Sequence, residues 1–274
     1  MKFDKKYRLL SLDMDGTLLD SAKRIPAETT EAIQGLMEQG VEVVVGTGRG
    51  LAELLDYREA LQGMHYGILL SGGVIYDFHK DQPVVVHALA EEHCHRLLEA
   101  AVEEQSMVHF LTVRTSVARE QDILRMEDFS MGVYQEMYER VCDRQQDMAA
   151  YVREHAGEIV KLNIYHRSVA SRKRSHERLA GLDLNLVMAE KTALEASPAG
   201  ITKASGLQEL CAMLCIPQSE TVAVGDAPND MEILQMAGLS VAMGNASESI
   251  KKICDVVVSD NDHNGVLETI QRFF

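Results

Sequence analysis

The sequence contains no run of about 18 apolar residues, so nothing in it reads as a membrane-spanning helix. Basic residues are scarce: 27 Lys and Arg stand against 42 Asp and Glu, a formal charge of −15. A surface of that sign argues against a nucleic-acid partner, which needs clustered Lys and Arg, and against docking on anionic lipid. It leaves room for one small phosphorylated ligand, because a single focused pocket overrides the global sign. Cysteine is sparse as well. Cys94, Cys142, Cys211, Cys215 and Cys254 are odd in number and scattered, which fits a reducing cytoplasm better than a disulfide framework. Met1–Arg8 is charged and leads into a strand-like run with no signal-peptide pattern. With 274 residues, 46% of them hydrophobic, the chain has room for one large or two modest domains and needs no staples.

What is present is a rhythm. Tyr7–Leu12, Val41–Val45 and Tyr66–Leu70 are continuous apolar runs that read as buried strands. Between the first two, Pro26 opens a helical pattern with Ile33, Leu36 and Met37 on one face and Gly40 beyond its end. The last 75 or so residues repeat the rhythm. Thr202 is an N-cap ahead of Leu207, Leu210, Cys211 and Leu214, with Cys211 and Cys215 both on the packed side. Thr221–Val224 is a strand, Pro228 to Gly238 a helix, and Leu239–Met243 and Val256–Val258 are closing strands. Strands buried on both faces and separated by helices predict a parallel sheet. The middle differs. Glu91–Gln105 and Ser168–Ala180 are polar helices, Glu120–Gly157 is mostly helical, and Val108–Val113 and Leu184–Met188 are strands. Ile159–Tyr165 alternates, which predicts a sheet with one wet face. The expected fold is therefore α/β: a parallel-sheet domain, residues 1–80 and 192–274, split by an inserted α+β domain, residues 81–191.

Chemistry-bearing residues gather at strand ends. Asp13-Met14-Asp15-Gly16-Thr17 follows the first strand. Two carboxylates so close repel unless a cation sits between them, and Gly16 permits a tight turn that gathers backbone N–H groups. Thr47 and Gly48 end the second strand in Gly46-Thr47-Gly48-Arg49, which on its own reads more readily as an ordinary glycine-rich turn than as an anion site. Asp226, Asn229 and Asp230 follow a later strand, although Asp230 also suits a helix start. Lys203 stands in a first helical turn, where a cation opposes the macrodipole and an anion would relieve it. Open α/β sheets place their sites along this carboxyl edge. Carboxylates for one hard cation, with hydroxyl, amide, ammonium and backbone N–H groups for one anion, suit Mg²⁺ and a phosphate.

These segments, in this order and spacing, resemble the four motifs of the haloacid dehalogenase superfamily of phosphohydrolases. The insert resembles the cap of the Cof-like subfamily by position and strand pattern, and the core would be Rossmann-like. Leu194–Lys203, Ala242-Met243-Gly244-Asn245-Ala246 and Asp260–Val266 are further Cof-like pieces. Two positions depart from that pattern: Ser71-Gly72-Gly73 replaces Asn-Gly-Gly, and Ala204 replaces a glycine after Lys203.

The resemblance implies a cytoplasmic phosphatase acting on a small phosphomonoester, a sugar phosphate or a cofactor phosphate. The absence of Trp disfavours a stacked flavin. Asp13 would be the nucleophile and Asp15 the general acid, then base. Mg²⁺ would sit on the Asp13 and Asp226 carboxylates and the Asp15 carbonyl. Thr47, Lys203 and Asn229, with the N–H groups near Met14 and Gly48, would hold phosphate oxygens, and Asp230 would orient Lys203 or a metal-bound water. The cap would choose the leaving group, and the protein would be a monomer or homodimer. A phosphomutase and a non-catalytic sensor of phosphorylated metabolites are the other readings.

Overall fold

The computed structural model describes residues 7–274, so most of the charged leader, Met1–Lys6, lies outside the described residues. The chain divides into two compact units. One comprises the chain up to Gly48 together with Asp56–Val84 and Thr202–Phe274; the other comprises Arg49–Leu55 and Val85–Ile201. In chain order the strands are β1 (Leu9–Leu12), β2 (Glu42–Gly46), β3 (Tyr66–Leu69), β4 (Val74–Asp77), β5 (Gln82–Val86), β6 (Met107–Leu111), β7 (Ser116–Arg119), β8 (Cys142–Gln145), β9 (Lys161–Tyr165), β10 (Leu184–Ala189), β11 (Ala193–Pro198), β12 (Thr221–Gly225), β13 (Leu239–Ala242) and β14 (Val256–Val257).

The first unit is built on a sheet ordered β14-β13-β12-β1-β2-β3-β4-β5. The six strands from β14 to β3 run parallel and β4 turns back antiparallel on β3. This is the Rossmann-like arrangement expected. The apolar runs explain it: Leu9, Leu10, Leu12, Val43, Val44 and Val45 are all buried, as strands covered on both faces must be. Pro83 lies in β5, an edge strand, the place in a sheet where proline is tolerated. The helix Ala27–Glu38 follows Pro26 and buries Ile33 and Leu36. The helix Lys203–Leu214 begins at Thr202, whose side chain accepts from the Ser205 N–H while Ser205 caps back. It buries Leu207, Leu210 and Cys211, but not Cys215. Cys215 is the exposed C-cap, at φ +52°, because the helix ends before another turn can carry it inward.

The second unit is an α+β layer with sheet order β10-β11-β9-β6-β7-β8. One face packs Val108, Phe110, Leu162, Ile164 and Leu194 against Leu97, Ala101 and Val152 of two helices. The other face is not wet. Lys161, Asn163 and Tyr165 are 2%, 5% and 5% exposed. The segment over 120–141 lies on Met107, Ala118 and Tyr165 through Ile123, Met126, Phe129 and Tyr138. Alternation in β9 therefore marks a polar buried face, most of whose groups pair with one another, Asn163 Oδ1 excepted. Tyr138 Oη lies 2.7 Å from Tyr165 Oη and 3.0 Å from His109 Nδ1, and Lys161 Nζ lies 2.6 Å from Glu195. Burial, then the nearby Lys161 charge, lowers the His109 pKa to about 3, so the ring is neutral. The stretch 120–157 is interrupted by β8, a short strand parallel to β7.

Candidate active site

β1 ends against β12, where the Asp13 N–H donates to Val224 O at 3.1 Å. The chain then turns tightly: Thr17 and Leu19 N–H groups both return to Met14 O, at 3.3 and 2.9 Å, and Met14 is fully buried. Gly16 makes this turn at φ +83°, and a Cβ there would lie 2.5 Å from Asp226 Oδ2. Glycine is thus required twice over, by conformation and by the close approach of a second carboxylate.

Asp226 follows β12, the strand beside β1, and its Oδ1 accepts from Thr17 Oγ1 at 3.1 Å. Asp230 closes the loop after β12. Its Oδ2 accepts from the Asp226 and Ala227 N–H groups, both at 3.2 Å, and its Oδ1 accepts from Lys203 Nζ at 2.7 Å. Lys203 Nζ also donates to Asp13 Oδ1 at 2.5 Å. Lysine thereby escapes the cost expected in a first helical turn: its ammonium bridges two buried carboxylates.

The charges in this cluster are strongly biased. Burial, and then the Asp230 charge, raises Asp13 above the ordinary carboxylate range, while Lys203 pulls it back. Burial by itself would lower Lys203, but Asp13 and Asp230 outweigh it and hold the amine charged. Asp226 is pushed up to about 6 by burial and by Asp230, opposed by the Thr17 hydrogen bond. Three carboxylates with one lysine leave surplus negative charge. One oxygen from each of Asp13, Asp226 and Asp230 lies within 4.8 Å of the others. An all-oxygen, charge-deficient cluster fits a hard divalent cation.

The other expected residues lie along the same edge. Thr47 follows β2; the register pairs Leu12 with Val45, which sets Asp13 level with Gly46. Thr47 is buried, its N–H donates to Ile68 O at 2.9 Å, and its own carbonyl accepts from Ser71 at 2.9 Å. Gly48 follows it, half-buried. Asn229 is exposed in the turn Pro228–Asp230. Asp15 is half-buried, with Lys23 Nζ at 2.7 Å from its Oδ1. Two further residues join the cluster. Thr17 is described above. Asn245 donates from Nδ2 to Gly16 O at 2.8 Å and stands 3.5 Å from Asp226 Oδ2. Its sequence signal is its place just past the carboxyl end of β13, a second parallel strand beside β12.

The family model for haloacid dehalogenase-like hydrolases matches residues 10–270. The chain belongs to that family. Phosphatase YwpJ of Bacillus subtilis (strain 168) is 27% identical to it, over 97% of this chain and 99% of its own length. The 5-amino-6-(5-phospho-D-ribitylamino)uracil phosphatase YcsE of the same organism is 25% identical, covering 98% and 97%. A solved haloacid dehalogenase-like hydrolase from B. subtilis matches with a TM-score of 0.87 at 25% identity, over 97% of this chain and all of that one. This protein is a Cof-like phosphatase, a hydrolase of the haloacid dehalogenase superfamily. Among the described residues, no helix is long and apolar enough to cross a membrane.

Proposed function

We propose that this chain is a Mg²⁺-dependent phosphatase that hydrolyses a small-molecule phosphomonoester through an aspartyl-phosphate on Asp13. The observation that carries the reading is the buried bridge Asp13–Lys203–Asp230, with Asp226 beside it. A carboxylate held against a fixed ammonium is aimed and flanked by a donor for the incoming phosphate oxygens. Asp13 and Asp226, with the Asp15 main-chain carbonyl, would hold the metal. Bound Mg²⁺ supplies neutralising charge for Asp13 and the phosphate.

In the first half-reaction Asp13 Oδ bonds to phosphorus as the bond to the leaving oxygen breaks, and Asp15 gives that oxygen its proton. In the second, Asp15 takes a proton from water, whose oxygen bonds to phosphorus and frees Asp13. Thr47, Lys203 and Asn229, with the N–H groups near Met14 and Gly48, hold the phosphate oxygens, and Asp230 holds Lys203 in place. Residues 81–191 act as the cap that selects the leaving group. A sugar phosphate or cofactor phosphate suits this reading; the relative YcsE is named for a phosphorylated ribityl compound. Five unpaired cysteines support a cytoplasmic setting. We take the working species as a monomer or homodimer.

The test is hydrolysis of p-nitrophenyl phosphate with and without Mg²⁺, beside Asp13→Asn. Turnover that needs Mg²⁺ and disappears in the variant is the expected result. Wild-type-like turnover in a folded Asp13→Asn protein would sink the mechanism.

A further inference from the structure

Asp15 is a partly exposed carboxylate of the site, and a free aspartate there would sample several rotamers. Its carboxylate does not stand alone. Lys23 Nζ lies 2.7 Å from Asp15 Oδ1, delivered by a turn that is held from both sides. Inside the turn, the Lys23 N–H donates to Asp20 O and the Asp20 N–H to Arg24 O, both at 2.9 Å. The Asp20 carboxylate takes the Arg24 N–H at 2.8 Å and its guanidinium at 2.9 and 3.1 Å. From outside, Asp262 accepts from the Ser21 N–H at 2.8 Å and its hydroxyl at 2.6 Å, and Asn261 Nδ2 donates to Leu19 O at 2.8 Å. Lys23 itself sits at φ +59°, a left-handed conformation that a side-chain-bearing residue seldom adopts.

All of this ends in one ion pair whose side chains are 43% and 36% exposed. Such a pair adds little to stability, so the bracing is poorly explained as a device for holding the fold together. It is well explained as a device for placement. We propose that Lys23 is a positioning residue, whose turn-anchored ammonium fixes the Asp15 carboxylate in the orientation from which it exchanges a proton with the leaving group. The inference rests on the phosphatase reading and adds to it a residue that none of the four family-like motifs contains. Proton transfer depends on geometry before anything else, and loss of a fixed orientation lowers it without abolishing it.

The leaving group distinguishes this role from a structural one. p-Nitrophenolate departs without a proton, whereas a simple alkoxide does not. For Lys23→Met we expect kcat/KM to fall about tenfold on an alkyl phosphate and less than about twofold on p-nitrophenyl phosphate. Lys23→Arg, which keeps the charge and reach, should recover most of the loss. In an Asp15→Asn background, Lys23→Met should add nothing further. Equal losses on both substrates, no loss on the alkyl phosphate, failure of arginine to rescue, or a persisting effect without Asp15 would each overturn the assignment. Asp13→Asn runs alongside. If it keeps turnover, the phosphatase mechanism falls and Lys23's role with it; if only the leaving-group contrast is missing, Lys23 alone is refuted.

Discussion

Replacing Lys203 with Met withdraws one positive charge from between two buried carboxylates and leaves a side chain of similar length. The side chains of Lys203, Asp13 and Asp230 are 2%, 9% and 1% exposed, so water cannot take over the lost contacts. Breaking a buried ion pair by removing one partner costs about 3–5 kcal/mol, because an uncompensated charge is left behind. Here one lysine serves two carboxylates, which places the expected loss near the top of that range, about 5 kcal/mol. At about 2–4 °C per kcal/mol for a domain of this size, Tm should fall by about 10–20 °C. Scanning calorimetry at neutral pH, without divalent cations, measures it. The triple variant Asp13→Asn, Lys203→Met, Asp230→Asn removes all three charges together and should recover to within about 5 °C of the parent, since a neutral replacement avoids the desolvation cost. A Lys203→Met protein that melts with the parent, or a triple variant no better than the single one, would refute the view that mutual neutralisation holds this cluster.

Three smaller tests address its surroundings. Gly72 sits at φ +99°, where a Cβ would lie 2.0 Å from the Thr202 carbonyl oxygen. Gly72→Ala should lose about 3 kcal/mol or more in urea unfolding, and an unchanged midpoint would contradict that approach. Ser71 is also left-handed, at φ +59°, a region Asn enters more readily, so Ser71→Asn should gain about 0.5 kcal/mol by the same measurement. Asn245→Ala removes the bond to the Gly16 carbonyl and the approach to Asp226; about 1.4 kcal/mol, or a tenfold drop in kcat/KM, is expected with the circular dichroism spectrum unchanged.

The parallel strands were legible because burial on both faces leaves a continuous apolar run, as in Val43–Val45. Strand β8 was not, because Cys142-Asp143-Arg144-Gln145 sits at a sheet edge and carries no period. In β9 the alternation correctly separates two kinds of face, but sequence pattern does not say what covers a polar face. The cover comes from residues 120–141, which no local rule connects to it. At the candidate site, Asp13, Asp226 and Lys203 stood out as charged residues at strand and helix ends where packing gives them no reason to be. Lys23 did not, since an exposed lysine is ordinary, and Asn245 was legible only as part of a Cof-like piece with no role attached. Their meaning lies in partners 8 and 229 residues away. The departure at Ser71 also gains an explanation: the position demands left-handed backbone, which favours Asn but admits Ser.

The pairing of β1 with β12, and of Asp13 with a lysine 190 residues later, has a consequence for the newborn chain. At about 5–20 residues per second, a ribosome needs roughly 10–40 s to make the stretch between them. Throughout that interval β1 exposes an unpaired edge and its following carboxylate has no counter-ion, while the inserted unit is emerging with all six of its sheet strands. The insert can therefore fold as a local body first, and the core sheet closes around its central strand only when the last quarter of the polypeptide, Thr202–Phe274, arrives. A truncation or pause before Thr221 would leave an aggregation-prone half-sheet even where the inserted unit is native.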